Sequence, residues 1–391
     1  MENTMRYETD GKKLTAFFEG KINAANAAGI EKELLEQADG KEEVILDYEK
    51  LVYISSAGIR TLVRLKQTVG KVSIINVAPD IYEVLDNTGI TNIIKVKRAL
   101  REVSVDHLEK VGQGGTASVY RLDEDRIIKV FISNFPFFMV DEERELSRKL
   151  FLEGVPTAVP YEIVRCGDHL GVIYEMLNAN SIDKYLAEEP ENAAYYIKLL
   201  TDLQKKMMKT EIPDFQPLAV RMAAVIPMWA KAGLITEAEV EKYQKICTSI
   251  PDRNTYVHGD FHPGNVMKTG DELILIDMAG SSKGHPVFDL AGMCSIFYTL
   301  PTSMEPEKYR AFSGYEPEMA EKYWDMYLRS FFEGKSEEFI RKADMQVKVV
   351  SAMRAVSSVV HIQGFIPQEN VQKLLKFISE NSHYITEGFD Y

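Results

Sequence analysis

The sequence predicts an α/β domain of about 100 residues followed by a larger α+β region in which strands come first and helices later. Three observations carry this expectation. Short apolar runs of β character alternate with helical stretches as far as Val96. Strand-like runs dominate again from Val111 to Met176, and a 3.6-residue apolar periodicity takes over from Asn178 onward. Finally, 391 residues are too many for one ordinary domain.

Composition sets the outer limits. Hydrophobic residues make up 45% and charged residues 27%, a balance expected of globular chains. No apolar run reaches the roughly 18–20 residues of a membrane span, and Met1–Asp10 is polar, without the core of a signal peptide. Cys166, Cys247 and Cys294 form no CxxC pair and no zinc set, and read as reduced cytoplasmic thiols. The net charge is −13, and nearly all of it lies beyond residue 100. A duplex-binding protein shows a basic face, so neither nucleic acid nor a membrane is expected as partner. An acidic body draws cations over long range, although acidic surfaces also serve solubility alone.

In the first domain, residues 1–98, Leu14–Phe18 reads as a strand. Asn23–Gln37 reads as a helix with Ile30, Leu34 and Leu35 on its apolar side. Val44–Leu46 is a second strand ending on Asp47. The stretch L-V-Y-I-S-S-A-G-I-R-T-L-V-R, Leu51–Arg64, is a strand up to Ile54. It continues as a helix capped by Ser55 or Ser56, with Ile59, Leu62, Val63 and Leu65 facing inward. Val72–Val77 is a strand, Pro79–Asn87 a helix and Ile90–Val96 the last strand.

The run Y-I-S-S-A-G-I-R, with Asp47 before it and N-T-G-I at Asn87–Ile90 after it, resembles the STAS family of anti-anti-sigma factors over about residues 5–98. The resemblance implies an anti-sigma-type protein partner. In phosphorylated members of that family an Asp-Ser-[Ser/Thr]-Gly run starts the helix. Here Ser55 stands in place of the Asp and Ser56 in place of the acceptor serine. A phosphate on Ser56 would add roughly −1.5 to −2 charges where helix dipole and free N–H groups accept it. Helix capping accounts equally for a Ser-Ser pair at this point.

Residues 99–109 carry mixed charge and few apolar side chains, and read as a linker. V-G-Q-G-G-T-A-S-V-Y, Val111–Tyr120, places Gly112 and Gly114 at the first two positions of a G-x-G-x-x-G-x-V loop, Ala117 at the third and Val119 at the last. Glycines at a hairpin tip let backbone N–H groups approach phosphates, and Ser118 can add a hydroxyl. A plain hairpin turn looks much the same. The next strand, Arg126–Val130, carries the lone Lys129 among apolar residues, either as an exposed side chain or as a phosphate clamp. A helix over Asp141–Leu152 follows, with Glu142, Glu143 and Glu145 near its start, where acids also suit the helix dipole. Val159–Arg165 and Leu170–Met176 read as two further strands. Glu175–Leu177 reads as a hinge able to offer backbone groups to an adenine edge.

Residues 178–391 read as mainly helical. Asn178–Tyr185 starts a helix capped by Ser181, Ala193–Lys209 is amphipathic, and Arg221–Ile250 adds more helix. Within this region Tyr256–Asn265 reads Y-V-H-G-D-F-H-P-G-N, and the apolar run Leu273–Ile276 ends on Asp277. An acid that can orient a hydroxyl, an amide five residues later and a second acid at a strand end form the set that phosphoryl transfer needs. Asp289, twelve residues after Asp277, is expected to tie down the loop. Glu316–Phe332, Glu337–Ile362 and Asn370–Ile385 complete the helices.

Gly-rich loop, strand lysine, helix glutamate, hinge, H-G-D-x-x-x-x-N and I-D occur here in kinase order. The form H-G-D-F-H-P-G-N resembles the aminoglycoside phosphotransferase and choline kinase family over about residues 107–391. The resemblance implies an α+β two-lobed protein-kinase-like domain, with lobes at 110–177 and 178–391 and ATP and Mg²⁺ between them. It implies Asp260 as the hydroxyl-orienting base, Asn265 and Asp277 as metal ligands and Lys129 as phosphate clamp. Glu143 becomes the partner of Lys129 by its distance from G-V-P-T at Gly154–Thr157, with Glu145 as the alternative. Gly112, Gly114, Ser118, Val119, Glu175 and Leu177 become nucleotide contacts. His258 is expected to buttress the loop, whereas His262 has no clear role. I-D-M-A-G, Ile276–Gly280, stands where protein kinases carry D-F-G. Three functions fit. One is an ATP- and Mg-dependent phosphotransferase acting on the hydroxyl of an unidentified small molecule, with the STAS domain as regulatory or docking module. The others are a protein kinase for a STAS serine, its own Ser56 or a partner's, and a nucleotide-sensing module without catalysis.

Overall fold

The computed structural model describes residues 4–391 except 134 and 363, so the first three residues of the polar Met1–Asp10 segment lie outside it. The chain divides into two compact units: Met1–Ser104 with Ile163–Asp168, and Val105–Glu162 with His169–Tyr391.

The first unit is a five-stranded sheet in the order β1-β2-β3-β4-β5. Strands β2 (Lys13–Ile22), β3 (Glu43–Ile54), β4 (Lys71–Val77) and β5 (Lys95–Arg98) run parallel, and β1 (Thr4–Asp10) pairs antiparallel at the edge. Helices α1 (Ala27–Ala38), α2 (Ser56–Thr68) and α3 (Pro79–Asn87) provide the crossovers that parallel strands require. Leu14, Leu46, Ile74, Leu65 and Leu85 are completely buried in its core.

Three sequence expectations change here. The N-terminal residues are not merely polar: Thr4–Asp10 forms an edge strand, whose exposure removes the apolar alternation that would reveal it. The strands at Val44–Leu46 and before Ile54 are one continuous strand. Ile90–Val96 opens as a 3-10 turn, Ile90–Asn92, and only Lys95–Arg98 is strand.

A short strand, β6 (Arg101–Glu102), pairs in parallel with Val164–Arg165 of β10 (Pro160–Cys166). In the second unit, β7 (Lys110–Gln113), β8 (Ala117–Arg121), β9 (Arg126–Phe131) and β11 (His169–Glu175) form an antiparallel ribbon, with α4 (Phe137–Leu152) packed against β11. The helical part begins at β12 (Asn180–Ser181) and α5 (Ile182–Glu188), capped by Ser181 as expected. It continues with α6 (Ala193–Met207), α7 (Leu218–Lys231) and α8 (Val240–Thr248). Two small ladders follow, β13 (Tyr256–Val257) with β16 (Ser282–Lys283), and the hairpin β14 (Val266–Thr269) with β15 (Glu272–Leu275). Helices α9 (Val287–Cys294), α10 (Pro306–Ser313), α11 (Pro317–Phe331), α12 (Glu337–His361), α13 (Gln368–Asn381) and α14 (His383–Thr386) complete the unit. Ile197, Leu200 and Met207 of α6 and Trp229 of α7 are buried in one core with α9, α11 and α12, while Met208 packs at its margin. Among the described residues no helix is long and apolar enough to cross a membrane.

Candidate phosphoryl-transfer site

The hairpin β14–β15 brings the two metal candidates together. Val266 pairs with Leu275, and the Ile276 amide donates to the Asn265 carbonyl at 3.1 Å. Asn265 and Asp277 therefore stand side by side at the open end of one hairpin. Asp277 adopts a left-handed backbone, φ 61° and ψ 65°, rare for a residue with a side chain and typical of functional turns.

The ribbon supplies the opposite wall. Val119 of β8 lies across from Lys129 of β9, and Lys129 across from Val172 of β11. Lys129 Nζ donates to Glu143 Oε1 at 2.7 Å and reaches Asp277 Oδ1 at 3.4 Å. Burial alone would lower the Lys129 pKa, but Asp277 and Glu143 more than offset it and keep the ammonium charged. Glu143 is thus the partner, and the alternative Glu145 pairs with Arg144 instead.

A cavity of about 500 Å³ opens between these walls. Gly112, Gly114, Val119, Lys129, Glu143, Glu175, Leu177, Asn265 and Asp277 all line it. Ser118 does not: alternation along β8 turns it away, and its hydroxyl donates to Gln113 Oε1 at 2.9 Å. At the hinge, the Glu175 carboxylate accepts from the Val159 amide at 2.8 Å, and the Met176 amide is used by Asp125 at 2.7 Å. A nucleotide edge would therefore have to be met by other backbone groups of the hinge.

Asp260 sits on the loop between β13 and β14 and is not among the cavity-lining residues. Its backbone carbonyl accepts from Asn265 Nδ2 at 2.9 Å, and its Oδ2 lies 3.3 Å from the same nitrogen. His258 buttresses the loop as expected, Nε2 at 3.1 Å from the Ile276 carbonyl and Nδ1 accepting from the Asp260 amide at 3.3 Å. Burial lowers the His258 pKa against the pull of Asp289 and Asp260, so the ring is neutral. His262 accepts from the Gly264 amide through Nδ1 at 3.1 Å, with Nε2 at 3.7 Å from Asp260 Oδ2. Asp289 ties the loop down, accepting from the His258 and Gly259 amides at 2.9 Å each. Burial raises the Asp260 carboxyl, but Arg354, His262, His258 and Asn265 outweigh it and hold the group below the usual carboxylate range.

Two arginines escape the sequence reading. Arg354 of α12 donates to Asp260 Oδ1 at 2.9 Å and to the Gly259 carbonyl. Arg221 of α7 donates to the carbonyls of Ala279, Gly280 and Ser281 and to Ser282 Oγ at 2.7–3.3 Å, pinning the segment after Asp277. Arg354 had a signal: it is the one charged residue in Val349–Val360. In the first unit, Ser55 rather than Ser56 caps α2, accepting from the Gly58 amide at 3.4 Å. Ser56 is the exposed first helical residue, next to exposed Val52 and Tyr53.

Comparison with known proteins agrees with both halves. The STAS domain model matches residues 5–103, and the model described as phosphotransferase enzyme family matches residues 107–323. A Bordetella bronchiseptica protein named as an anti-sigma factor antagonist, BtrV, is 38% identical over 88 residues, which span 21% of this chain and 76% of that protein. Among solved structures, a streptomycin–ATP–APH(2")-IIa ternary complex is similar at TM-score 0.45 and 15% identity over 78% of this chain and 99% of that one. A choline/ethanolamine kinase family protein from Mesorhizobium loti gives 0.47 and 14% over 72% and 92%. An anti-sigma factor antagonist from Mycobacterium paratuberculosis gives 0.24 and 17% over 25% and 86%. The chain thus belongs to the phosphotransferase enzyme family, through residues 107–323, and carries a STAS domain at residues 5–103.

Proposed function

We propose that this protein is an ATP- and Mg²⁺-dependent phosphotransferase that acts on a small-molecule hydroxyl, with the STAS domain as its regulatory or docking module. The carrying observation is that Lys129, Glu143, Asn265 and Asp277, remote in sequence, line one cavity together with the Gly112–Val119 loop. The donor set fits Mg²⁺. Both Asn265 Nδ2 contacts go to Asp260, which leaves its amide oxygen, among the described residues, as the free acceptor beside the half-exposed Asp277 carboxylate. Among the described residues no group of three or more His, Cys, Asp or Glu forms a metal cluster, and Mg²⁺ commonly takes one or two protein ligands plus phosphate oxygens. Bound there, the ion would neutralise phosphate charge.

Lys129, oriented by Glu143, would bind the α- and β-phosphates, and amides of the Gly112–Val119 loop would cover them. Glu175 and Leu177 would offer hinge backbone to the adenine. Asp260, ionised at neutral pH, would accept the acceptor hydroxyl's hydrogen bond and take its proton. The acceptor oxygen bonds to the γ-phosphorus while the bond to the β-phosphate oxygen breaks, leaving ADP. We assign phosphoryl transfer to residues 110–391, joined through 99–109 to a STAS module that binds an anti-sigma-type protein. The free, buried Cys166, Cys247 and Cys294 suit a reducing cytoplasm.

Calorimetry with Mg-ATP tests this reading. Wild-type protein should bind the nucleotide and hydrolyse it slowly, and Asp260→Asn and Asp277→Ala should each abolish hydrolysis. A wild type that binds no Mg-ATP would end it. Exposure of Ser56 favours a second reading, phosphorylation of the protein's own STAS domain; mass spectrometry after incubation with Mg-ATP decides, and unmodified STAS peptides exclude it.

A further inference from the structure

Asp260 is gripped by an element almost a hundred residues away in the chain. Arg354 donates through Nη2 to Asp260 Oδ1 at 2.9 Å and through Nη1 to the Gly259 carbonyl. Its side chain is only 20% exposed, and its Nε is buried with no partner among the described residues. This guanidinium is therefore no surface group swinging past. Helix α12 packs along α9, and Asp289 of α9 holds the His258 and Gly259 amides. The loop His258–Asp260 is thus held at its N–H groups from α9 and at its C=O and carboxylate from α12.

The electrostatic result is specific. Asp260 Oδ2 faces Asn265 Nδ2 at 3.3 Å and His262 Nε2 at 3.7 Å. Burial lowers the pKa of both His262 and His258, so neither ring brings a charge at neutral pH. Asp277 acts on His262 from across the site, and Asp289 lies behind the loop. Among these groups Arg354 is the cation in contact with the carboxylate. The Asp260 side chain is still 48% exposed, so an acceptor hydroxyl can reach it.

We propose that Arg354 is the positioning residue of Asp260, and that by balancing its charge it reserves the acceptor position for an uncharged or anionic alcohol. This rests on the phosphotransferase reading above. An ammonium beside the acceptor hydroxyl would meet a guanidinium instead of a bare carboxylate, while a phosphate or carboxylate there would be attracted. The chain's −13 charge draws cations toward its surface, but that field is screened beyond about 8–10 Å, whereas Arg354 acts in contact.

The test uses the whole chain and its Arg354→Met, Arg354→Gln and Arg354→Lys variants, each first checked for folding by thermal unfolding. Wild-type Mg-ATP binding is measured separately, since its absence would remove the phosphotransferase reading while leaving the Arg354–Asp260 contact to be judged. Hydrolysis of Mg-ATP is then measured with kcat and KM separated. Arg354→Met, or Arg354→Gln should the Met variant not fold, is expected to lower kcat at least about tenfold while leaving KM for Mg-ATP nearly unchanged. Arg354→Lys is expected to restore most of the lost kcat. In the Mg-ATP complex, glycerol and glycerate should bind and stimulate ADP release at least about tenfold better than choline, a gap that Arg354→Met narrows. An unchanged kcat in the neutral variants, or choline matching glycerate in the wild type, overturns the proposal. Should none of the three alcohols bind, the selectivity is refuted and the kcat comparison decides the positioning role by itself.

Discussion

Lys129 shows how much of this site depends on single side chains holding one another. Its ammonium is placed by Glu143 and shared with Asp277, at side-chain exposures of 17%, 10% and 52%. Removing Glu143 leaves a mostly buried cation with one partner, less severe than an orphaned charge. We expect Glu143→Ala to cost about 1–3 kcal/mol in urea unfolding and to weaken Mg-ATP binding. Gly259 is stricter. Its φ is +78°, and an added Cβ would lie 2.2 Å from the Gly280 carbonyl oxygen, a backbone atom that cannot swing aside. Gly259→Ala should lose more than about 2 kcal/mol by the same measurement and disable the loop. Three histidines report on pH. Burial depresses His258, His262 and His285, the last to about 3. A depressed folded value means that the unfolded chain takes up the proton first. Stability from these groups is therefore complete above roughly pH 6.5 and falls on acidification, with an initial slope of up to about 1.4 kcal/mol per pH unit for each ring. A pH series of urea midpoints that stays flat from 7 to 5 would contradict this.

Elements carry the next level of constraint. The junction of β3 and α2 turns a parallel strand into a helix within one residue, and Ser55 makes the turn by capping. Its hydrogen bond is long, 3.4 Å, so Ser55→Ala should cost only about 0.5–1 kcal/mol. Ser56→Ala, at the exposed first helical position, should leave stability nearly unchanged. A larger loss at Ser56 than at Ser55 would reverse their assignment. The hairpin β14–β15 works differently: its register, with Val266 against Leu275, brings the flanking Asn265 and Asp277 together, so register rather than composition keeps them adjacent.

Among the described residues the whole molecule has two separate apolar cores, one in each unit. Two cores predict two calorimetric unfolding transitions rather than one. Leu46→Ala and Leu200→Ala, each at a completely buried position, should each lower a different transition, by about 2–5 kcal/mol of local stability. Saturating Mg-ATP should raise only the transition that Leu200→Ala lowers, by about 2.7 kcal/mol at a hundredfold excess over Kd. A single transition moved by both substitutions would refute the division.

What the sequence by itself determined is whatever local chemistry imposes. Periodicity marked most helices, Pro79–Asn87 to the residue, and motif order singled out Lys129, Asp260, Asn265 and Asp277 as candidates, of which Lys129, Asn265 and Asp277 line the cavity. The edge strand Thr4–Asp10 was illegible because an exposed strand buries no alternating face. Ser118 was misread because strand register, not residue type, decides which side chains of β8 face the cavity. Arg354 could not be assigned to Asp260, since a helical arginine is matched to its carboxylate only when α12 and α9 pack together. Residue identity is written locally, whereas the charge that one side chain feels is set by neighbours that only the folded chain brings close.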